Sequence, residues 1–371
     1  MQRTFKRPPA IRVASFGDYT HIAALQSKYG LEVKNNEEWQ HLWLNNPAYT
    51  PQKKVPIGWV LEDEHDNIVG YLGNIPLPYE FEGRRLLASA AHAWVVDENF
   101  RSYALLLAEQ YFSQKDIDIF LNATVGPMAI DAFAIFHSLP VPVGSWDRSA
   151  FWITNYRSFL ANWLAMKKVP LKTPLSYALS PLLSIKDTFS QRGLHRQTGA
   201  RIECCKEVDD RFDIFWERLR ETNRHTLMGV RSREVLEWHF GAAVRNNKTW
   251  IAVASKGLDL IAYAIFNRYD NPRYGLRRMR LVDFQTLDGD SLILRPMLSW
   301  ALKRCRDEGI DMMESVGCCI RKHGIINKFA PYERKLPCWL YFYKVRDEHL
   351  AKTLSDPIAW DPSQFDGDAS L

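Results

Sequence analysis

The chain lacks the features that mark membrane-spanning and zinc-binding proteins. No stretch of about 18 apolar residues occurs, so the sequence contains no candidate membrane span. Its six cysteines include no CxxC pair and have no histidine at zinc-ligand spacing. We therefore expect reduced, buried thiols and no metal site. The basic N-terminus is not followed by the apolar core of a signal peptide, which predicts a cytoplasmic protein.

Three common catalytic motifs are also missing. The sequence contains no Gly-x-Ser-x-Gly, no Gly-x-x-x-x-Gly-Lys-Ser/Thr and no His-Glu-x-x-His. Serine hydrolase, P-loop and zincin chemistry each depend on one of these arrangements, so those classes are excluded. What remains is a globular composition, with 46% hydrophobic and 25% charged residues in a length of 371 that predicts two domains. The formal charge of +5 is spread along the chain and is compatible with an anionic ligand.

The most informative stretch runs from Ala88 to Thr124 and predicts a strand, a turn, a helix and a second strand. The apolar run 88–96 ends in an acidic turn, a periodic segment follows Arg101, and residues 117–123 are apolar again. Such a unit places backbone amides and a helix N-terminus at the C-terminal end of a strand. Groups of this kind can bind phosphate.

This order of features resembles the central motif of the GCN5-related N-acetyltransferase superfamily. In that family a strand ending in valine, and a turn with an aromatic residue and arginine, lead into the helix that holds the pyrophosphate of acetyl-CoA. Val96, Phe100 and Arg101 stand at those places. The family's two glycine positions are occupied by Ala104 and Leu106, which is a departure because glycine lets backbone approach a phosphate closely.

The resemblance implies that acetyl-CoA or a longer acyl-CoA is the acyl donor and that this strand and turn bind it. The implied donor-binding residues are Trp94, Val95, Val96, Arg101, Ser102, Tyr103, Ala104, Leu105 and Leu106.

The same series of elements recurs about 190 residues later, which predicts an internal repeat. The matching pairs, first copy then second, are Trp43 and Trp238, the hairpins 59–72 and 250–266, Val96-Asp97 and Val282-Asp283, 117–120 and 310–313, and the closing strands 150–153 and 339–345. The predicted fold class is therefore mixed α/β. It comprises two tandem acetyltransferase-like domains, each a mixed, mostly antiparallel sheet flanked by helices.

The repeat divides the chain into four predicted regions. These are an N-terminal domain over 1–154, a helical connector over 155–200, a C-terminal domain over 201–346 and an acidic tail over 347–371. The second copy of the phosphate turn, 287–291, carries two carboxylates that would repel a pyrophosphate. The acyl donor is therefore assigned to the first domain, and the second is expected to shape the acceptor site or to support the first.

Three further segments each allow two interpretations. Residues 157–186 could contact an anionic membrane surface, or form proline-broken helices that clamp the domains, which we favour. The basic run 273–280 could bind phosphate or nucleic acid, but we favour a solvated strand edge and expect no DNA partner. The tail is expected either to dock onto a basic groove through Trp360 and Phe365 or to be disordered.

Acyl transfer from a thioester to an amine requires a base, a polarised carbonyl and a proton for the departing thiolate. His92 is the only titratable side chain in the run 88–96, and an imidazole pKa near 6.5 suits a base at neutral pH, although strand histidines are more often structural. Strand alternation places His92 on the face of Trp94 and Val96. The resemblance puts the family's proton-donating tyrosine at Phe136, so that Tyr103, His137 or water would protonate the thiolate.

The predicted function is N-acyl transfer from acyl-CoA to an amino group of a small-molecule or carbohydrate acceptor. A Fem-like aminoacyl-tRNA-dependent transferase is one alternative, because tandem folds of this kind also occur there. The other is a scaffold that has kept the fold and lost the chemistry. The missing glycines and Phe136 favour the scaffold, whereas His92 and Arg101 favour an enzyme.

Overall fold

A computed structural model describes residues 8–49, 55–144, 146–169, 180–181, 201–287, 289, 291–317, 320–336 and 340–371. The chain is mixed α/β, and its strands form two mixed sheets flanked by helices, which confirms the predicted fold class. In this part of the chain, no helix combines the length and apolarity needed to cross a bilayer.

The α-helices of the described residues lie around the two sheets. They are α1 (Tyr19–Lys28), α2 (Asn36–Leu44), α3 (Ala104–Phe112), α4 (Ile130–Ile135), α5 (Tyr156–Met166), α6 (Arg211–Thr222), α7 (Arg233–Arg245), α8 (Leu294–Asp307), α9 (Ile320–Phe329) and α10 (Glu348–Leu354).

The strands follow in chain order. They are β1 (Ala10–Val13), β2 (Gly58–Glu62), β3 (Ile68–Phe81), β4 (Arg84–Val96), β5 (Ile119–Val125), β6 (Leu139–Pro140), β7 (Arg148–Ile153), β8 (Arg201–Cys205), β9 (Met228–Gly229), β10 (Thr249–Lys256), β11 (Asp259–Arg268), β12 (Arg278–Thr286), β13 (Met312–Val316), β14 (Tyr332–Lys335) and β15 (Leu340–Val345).

The two sheets share one arrangement of central strands. The first has the order β1-β2-β3-β4-β5-β15-β6, with β9 also paired to β3, and the second has the order β14-β7-β13-β12-β11-β10-β8. In the first sheet β2, β3 and β4 are antiparallel and β4 pairs with β5 in parallel. In the second, β10, β11 and β12 are antiparallel and β12 pairs with β13 in parallel. The central strands within residues 57–124 and 249–316 therefore have the same order and directions.

The closing strands are exchanged between the sheets, contrary to the prediction. The strand predicted at 150–153 was expected to complete the first sheet, but β7 pairs with β13 and β14 of the second. The strand predicted at 339–345 was expected to complete the second sheet, but β15 pairs with β5 and β6 of the first. Both segments have the same apolar strand pattern, so either could fill either edge, and the pattern carries no information about which sheet receives it.

The long hairpin of β3 and β4 turns at Glu82 and Gly83, where the sequence predicts a hairpin turn between two apolar strands. Both residues have positive φ, 51° and 74°, and the flanking residues Phe81 and Arg84 pair directly. Two-residue turns of this kind match the twist of antiparallel strands, and glycine adopts positive φ without steric cost. The turn therefore sets the register of the strand that carries the predicted site.

The helix α2 packs its two tryptophans into the core beneath this hairpin. Trp39 and Trp43 are buried, and their ring centroids lie 5.1 Å apart at a T-shaped angle. The Trp43 indole N–H donates to the Asn74 carbonyl oxygen at 2.7 Å, which ties the helix to β3. The pair therefore serves core packing, as tryptophans that share one helix face usually do.

Two predictions about solvent exposure are each wrong for one residue. Arg280, in the basic run that we expected to be a solvated edge, is buried, and its guanidinium donates to Glu314 at 2.8 Å. The charge is retained inside because the buried carboxylate offsets the cost of desolvation. Cys204, expected to be buried, is exposed at the edge of the second sheet, whereas Cys205 and Cys305 are buried thiols. The other three cysteines lie outside the described residues.

The first part of the connector, α5, packs onto the second sheet. Leu160 and Leu164 are buried, and the Asn162 amide donates to the Gly275 carbonyl oxygen at 3.2 Å. Trp163 and Met166 face solvent. Most of the remaining connector lies outside the described residues, so its contact with a membrane stays a prediction.

Candidate functional site

The site is organised by a β-bulge in β4. Tyr71 pairs with Val95 and Gly73 pairs with His92, so Ala93 and Trp94 together face the single residue Leu72. Ala93 has φ of 52°, which is uncommon for a residue with a side chain. A bulge inserts one unpaired residue and locally disrupts the ladder of backbone hydrogen bonds. Backbone groups of β4 are thereby released beside the neighbouring strand.

The bulge also reverses the alternation of side chains, which corrects the predicted face of His92. Trp94 and Val96 pack with Ala91 in the apolar cluster under α3 and α4, on one side of the sheet. Ala90 and Val95 pack on the other side, with α1, α2, α6 and α7. His92 alternates with Ala91 before the extra residue, and so it lies on the face opposite Trp94 and Val96.

Just before the bulge, β4 and β5 separate. Their parallel pairing is limited to Ala88 with Ile119 and Ser89 with Phe120. Further along, the Ala91 N–H donates to the Asn122 side-chain oxygen at 3.1 Å instead of to a backbone carbonyl. The two strands therefore diverge into an opening at their C-terminal ends, which is where ligands bind in parallel α/β sheets.

Two buried donors at this opening have no hydrogen-bond partner among the described residues. They are the Asn122 side-chain nitrogen Nδ2 and the Trp94 indole nitrogen Nε1. The Asn122 amide is held in place because its oxygen accepts from Ala91 and from the Tyr111 hydroxyl at 3.3 Å. A buried donor without an acceptor costs free energy, so these groups fit a ligand that brings carbonyl oxygens.

The predicted phosphate turn forms a 3-10 helix over Glu98–Tyr103 that runs directly into α3. Its backbone N–H groups are partly occupied: the Glu98 N–H donates to the Tyr29 hydroxyl at 2.9 Å, and the Asn99 N–H donates to Asp97. The Lys28 ammonium beside Asp97 lowers the pKa of that carboxyl. Glycine-rich turns leave such amides free for phosphate, and this turn instead uses several of them to build its own helix.

The turn nevertheless presents one cation and an apolar rim. Arg101 is exposed and forms no ion pair with any described residue, and Ser102 is exposed as well. Leu105 and Leu106, at the start of α3, keep 39% and 37% of their surfaces exposed. Met128 follows the end of β5 and is 88% exposed. Because β4 and β5 are parallel, these three apolar side chains lie at the same sheet edge and form what we call the apolar rim.

The predicted proton donors lie on the α3 and α4 side of the sheet, away from His92. Tyr103 packs against the apolar cluster there, and His137 is exposed with φ of 57° at the end of α4. Phe136, at the family's tyrosine position, stacks on Phe112 with ring centroids 5.1 Å apart. Phe136 has no proton to donate and serves the packing of this side of the sheet.

His92 does not have the pKa expected of a base at neutral pH. Burial, and secondarily the nearby Lys34 ammonium, lowers the pKa of His92 to about 3. His239 on α7 behaves similarly, because burial lowers its pKa to about 3 and Lys34 again opposes protonation. Both imidazoles are therefore neutral at pH 7 and are weak proton acceptors, so a rise of activity through the usual histidine pKa is not expected from His92.

The acidic tail is docked onto the rest of the molecule, which was one of the two predicted alternatives. Its acidic anchor binds one buried arginine, where the prediction had a basic groove. Arg231 donates to Asp283 at 2.8 Å and to Asp366 at 3.2 Å, and all three side chains are buried. The Arg231 guanidinium also lies 4.6 Å from the centroid of the Phe365 ring. The tail is therefore part of the folded molecule and reaches the site.

The equivalent opening of the second sheet is filled by the protein itself. A side chain at Gly317 would meet the Gln364 amide at 2.8 Å and the Trp146 ring at 3.0 Å. The remaining cavity beside Val282 and Asp283 holds about 20 Å³, which is room for one water. Asp283 is buried within β12 and bonded to Arg231, whereas Asp97 begins a turn. Val282-Asp283 therefore does not occupy the position in its sheet that Val96-Asp97 occupies in the first sheet, and the predicted match between them is wrong.

Sequence reasoning overlooked Asn122, Met128 and the tail residue Asp368. Asn122 lies within β5, which was interpreted only as an apolar strand, and Met128 follows that strand. A polar residue inside the apolar run was the available signal for Asn122. Asp368 accepts from the Thr124 hydroxyl at 3.1 Å, a contact that no local pattern indicates. A larger cavity of about 190 Å³ lies at the opposite edge of the sheet, near Arg84 and Lys115, away from the opening.

Known structures share this architecture. No family model and no curated protein matches the sequence. The structure of a GCN5-related N-acetyltransferase from Anabaena variabilis superposes with a TM-score of 0.55 at 11% identity, over 91% of this chain and 72% of that one. N-myristoyltransferase of Saccharomyces cerevisiae, solved with bound myristoyl-CoA, superposes with a TM-score of 0.58 at 11% identity, over 92% of this chain and 80% of that one. The chain has the fold of these acyltransferases.

Proposed function

We propose that the protein is an acyl-CoA-dependent N-acyltransferase that acts on an amino group of a small-molecule or carbohydrate acceptor. Acetyl-CoA or a longer acyl-CoA would bind the first half of the chain, between β4 and β5. The fold shared with an N-acetyltransferase and an N-myristoyltransferase supports this reaction class without specifying the acyl chain.

The observation that carries the proposal is the pair of unpartnered donors at the opening. Asn122 Nδ2 and Trp94 Nε1 are buried, and within the described residues neither has an acceptor. Acyl transfer requires donors fixed where negative charge develops on the carbonyl oxygen. Because the Asn122 amide is held by Ala91 and Tyr111, it would donate without reorganising during the reaction.

Bound acyl-CoA would supply an acyl carbon activated as a thioester. Arg101, exposed on the turn, would bind its phosphates, since a guanidinium matches phosphate geometry. The apolar rim of Leu105, Leu106 and Met128 would cover the less polar part of the donor. Tyr103 or His137, on the same side of the sheet, would protonate the departing thiolate.

The acceptor would approach from the opposite face of the sheet. His92 lies on that face, near Lys34, and His239 of the second half lies near Lys34 as well. Residues of both halves therefore border the space beside the bulge. This arrangement supports the prediction that the second half shapes the acceptor site, since its own opening is filled by Gln364 and Trp146.

Calorimetry with acetyl-CoA and myristoyl-CoA tests the proposal. Arg101→Ala should weaken the affinity for both by about 1 to 3 kcal/mol, the scale for losing a charged hydrogen-bond partner. Arg85→Ala is the matched control, because Arg85 is also exposed but lies at the far end of β4. The affinity of the Arg85→Ala variant for both thioesters should equal that of the unmodified protein.

The outcomes separate the three functions. Failure of the unmodified protein to bind either thioester would contradict the proposal and favour a scaffold. Acyl transfer from aminoacyl-tRNA in the absence of acyl-CoA binding would instead support the Fem-like alternative. Equal affinity in the Arg101 and Arg85 variants would leave the reaction class standing and show that the phosphate site is wrongly placed.

A further inference from the structure

We propose that Asp368, in the C-terminal tail, is the general base that removes a proton from the acceptor ammonium. This inference rests on the proposed function and adds the residue that would activate the acceptor. The proposed base is therefore a residue of the C-terminal tail, Asp368, and not His92 on the central strand β4.

The tail places Asp368 against β5 at the opening. Gly367 has φ of 87°, and a side chain there would meet the Ala123 Cβ at 2.9 Å, so the backbone lies directly on the strand. The Thr124 hydroxyl then donates to the two Asp368 carboxylate oxygens at 3.1 and 3.3 Å. Thr124 is two residues beyond Asn122, whose amide nitrogen has no acceptor among the described residues and is the proposed donor to the acyl carbonyl oxygen. The carboxylate therefore stands beside the place where the acyl carbon would react.

A rigid anchor precedes Asp368 by two residues. Asp366 is buried and accepts from Arg231 at 3.2 Å and from the Tyr79 hydroxyl at 3.2 Å. Further along, the Ser370 hydroxyl lies 2.9 Å from the His239 imidazole. Because the tail is held on both sides of Asp368, the carboxylate keeps its position without forming an ion pair with any described residue. A base needs this combination of fixed geometry and a free charge.

The surroundings of Asp368 suit a base at neutral pH. Burial raises the pKa of Asp368 to about 6, and the Thr124 hydrogen bond partly opposes that rise. The titratable groups that face it are Tyr111 on α3 and Tyr341 on β15, and the pKa of each is raised by burial and, to a lesser degree, by the Asp368 charge. His92 and His239, with pKa values of about 3, compete poorly for a proton. Asp368 is therefore ionised at pH 7 and more basic than an ordinary carboxylate.

The step balances with groups already named. The acceptor ammonium gives one proton to the Asp368 carboxylate, and the freed nitrogen lone pair forms the C–N bond at the acyl carbon. The C–S bond breaks, and its electron pair leaves with sulfur. The thiolate takes a proton from Tyr103, His137 or water, and the second proton of the nitrogen passes to solvent. The products are an amide and a free thiol, with no oxidant or reductant.

The test uses the full chain and follows thiol release from acetyl-CoA and myristoyl-CoA, with glycinamide and glucosamine as acceptor probes. Asp368→Asn keeps an oxygen that can accept from Thr124 but removes the base. We expect about a hundredfold lower rate with unchanged acyl-CoA affinity, and loss of the rise in rate through pH 6. Asp361→Asn, the same change earlier in the tail, should keep both the rate and the pH profile.

A second variant addresses the position of the pKa without removing the carboxylate. Thr124→Val deletes a hydrogen bond that favours the ionised form, so the rise in rate should move to higher pH while the plateau is retained. If Asp368 had only a structural role, Thr124→Val would not shift the pH midpoint of the rise in rate.

Each outcome decides the inference. A normal rate and pH profile in Asp368→Asn, while the unmodified protein binds and transfers, would overturn Asp368 and leave the proposed function intact. Absence of acyl-CoA binding and transfer in the unmodified protein would overturn both. If Asp368→Asn fails to fold, an unshifted midpoint in Thr124→Val overturns the inference and a shifted one supports it.

Discussion

At the scale of single residues, the site depends on which groups can hold a proton at neutral pH. Desolvation acts in opposite directions on the two kinds of group near the opening. It lowers the pKa of His92 and raises that of Asp368, because in both cases the charged form is disfavoured. The imidazole that sequence reasoning selected is thereby weakened as a base, and a carboxylate that it did not consider is strengthened.

His92→Gln should therefore leave the rise in rate through pH 6 in place. The expected loss of rate is small, below about tenfold, instead of the hundredfold loss of a missing base. The pH dependence of thiol release between pH 5 and 8 is the measurement. Disappearance of that rise in His92→Gln, together with its retention in Asp368→Asn, would return the role of base to His92.

At the scale of elements, the bulge in β4 decides the chemistry of the opening. One residue with positive φ, Ala93, changes which side chains share a face and frees backbone next to β5. Alternating hydrophobicity does not reveal it, because Ala91, Ala93 and Val95 are all apolar and fit either alternation. The strand could be predicted, but the reversal of its faces could not.

The strain at Ala93 leads to a prediction about stability. Ala93→Val should destabilise the protein by about 2 kcal/mol, because a β-branched side chain is poorly accommodated at positive φ. Ala93→Gly should change the free energy of unfolding by less than about 1 kcal/mol, since relief of strain offsets the entropy of glycine. Urea unfolding followed by circular dichroism measures both.

Ala161→Gly in the interior of α5 provides the control for this comparison. Glycine at that helical position should cost about 1 kcal/mol. An equal loss of stability at positions 93 and 161 would contradict the strain at the bulge.

At the scale of the whole molecule, the exchange of closing strands joins the two halves. β7 completes the second sheet although it belongs to the N-terminal part of the chain, and β15 completes the first sheet although it belongs to the C-terminal part. The Arg231–Asp366 pair adds a buried connection between the second half and the tail. Neither half contains all the strands of its own sheet.

Fragments 1–169 and 201–371, expressed separately, should therefore fail to fold, because each lacks a closing strand and exposes an unpaired sheet edge. The full chain should unfold in one cooperative transition, with tryptophan fluorescence and far-ultraviolet circular dichroism coinciding. Two separated transitions, or a monomeric fragment with native secondary structure, would contradict this coupling.

The sequence alone determined the mixed α/β class with helices flanking the sheets, and the position of the turn at Glu82 and Gly83. Each of these follows from residues close together in the chain, because hydrophobic period and turn chemistry act over a few positions. It also indicated the central strand and Arg101, through local resemblance to a known motif.

Only the tertiary structure decided which sheet receives each closing strand, which face His92 occupies, and that the tail meets the first sheet. The Thr124–Asp368 contact joins residues 244 positions apart, and the Arg231–Asp366 pair spans 135. Such pairings result from which buried surfaces and charges compensate one another once the sheets have formed. A local sequence pattern does not specify which distant residue it will contact. For this reason the sequence indicated an acidic tail but not the proposed base within it.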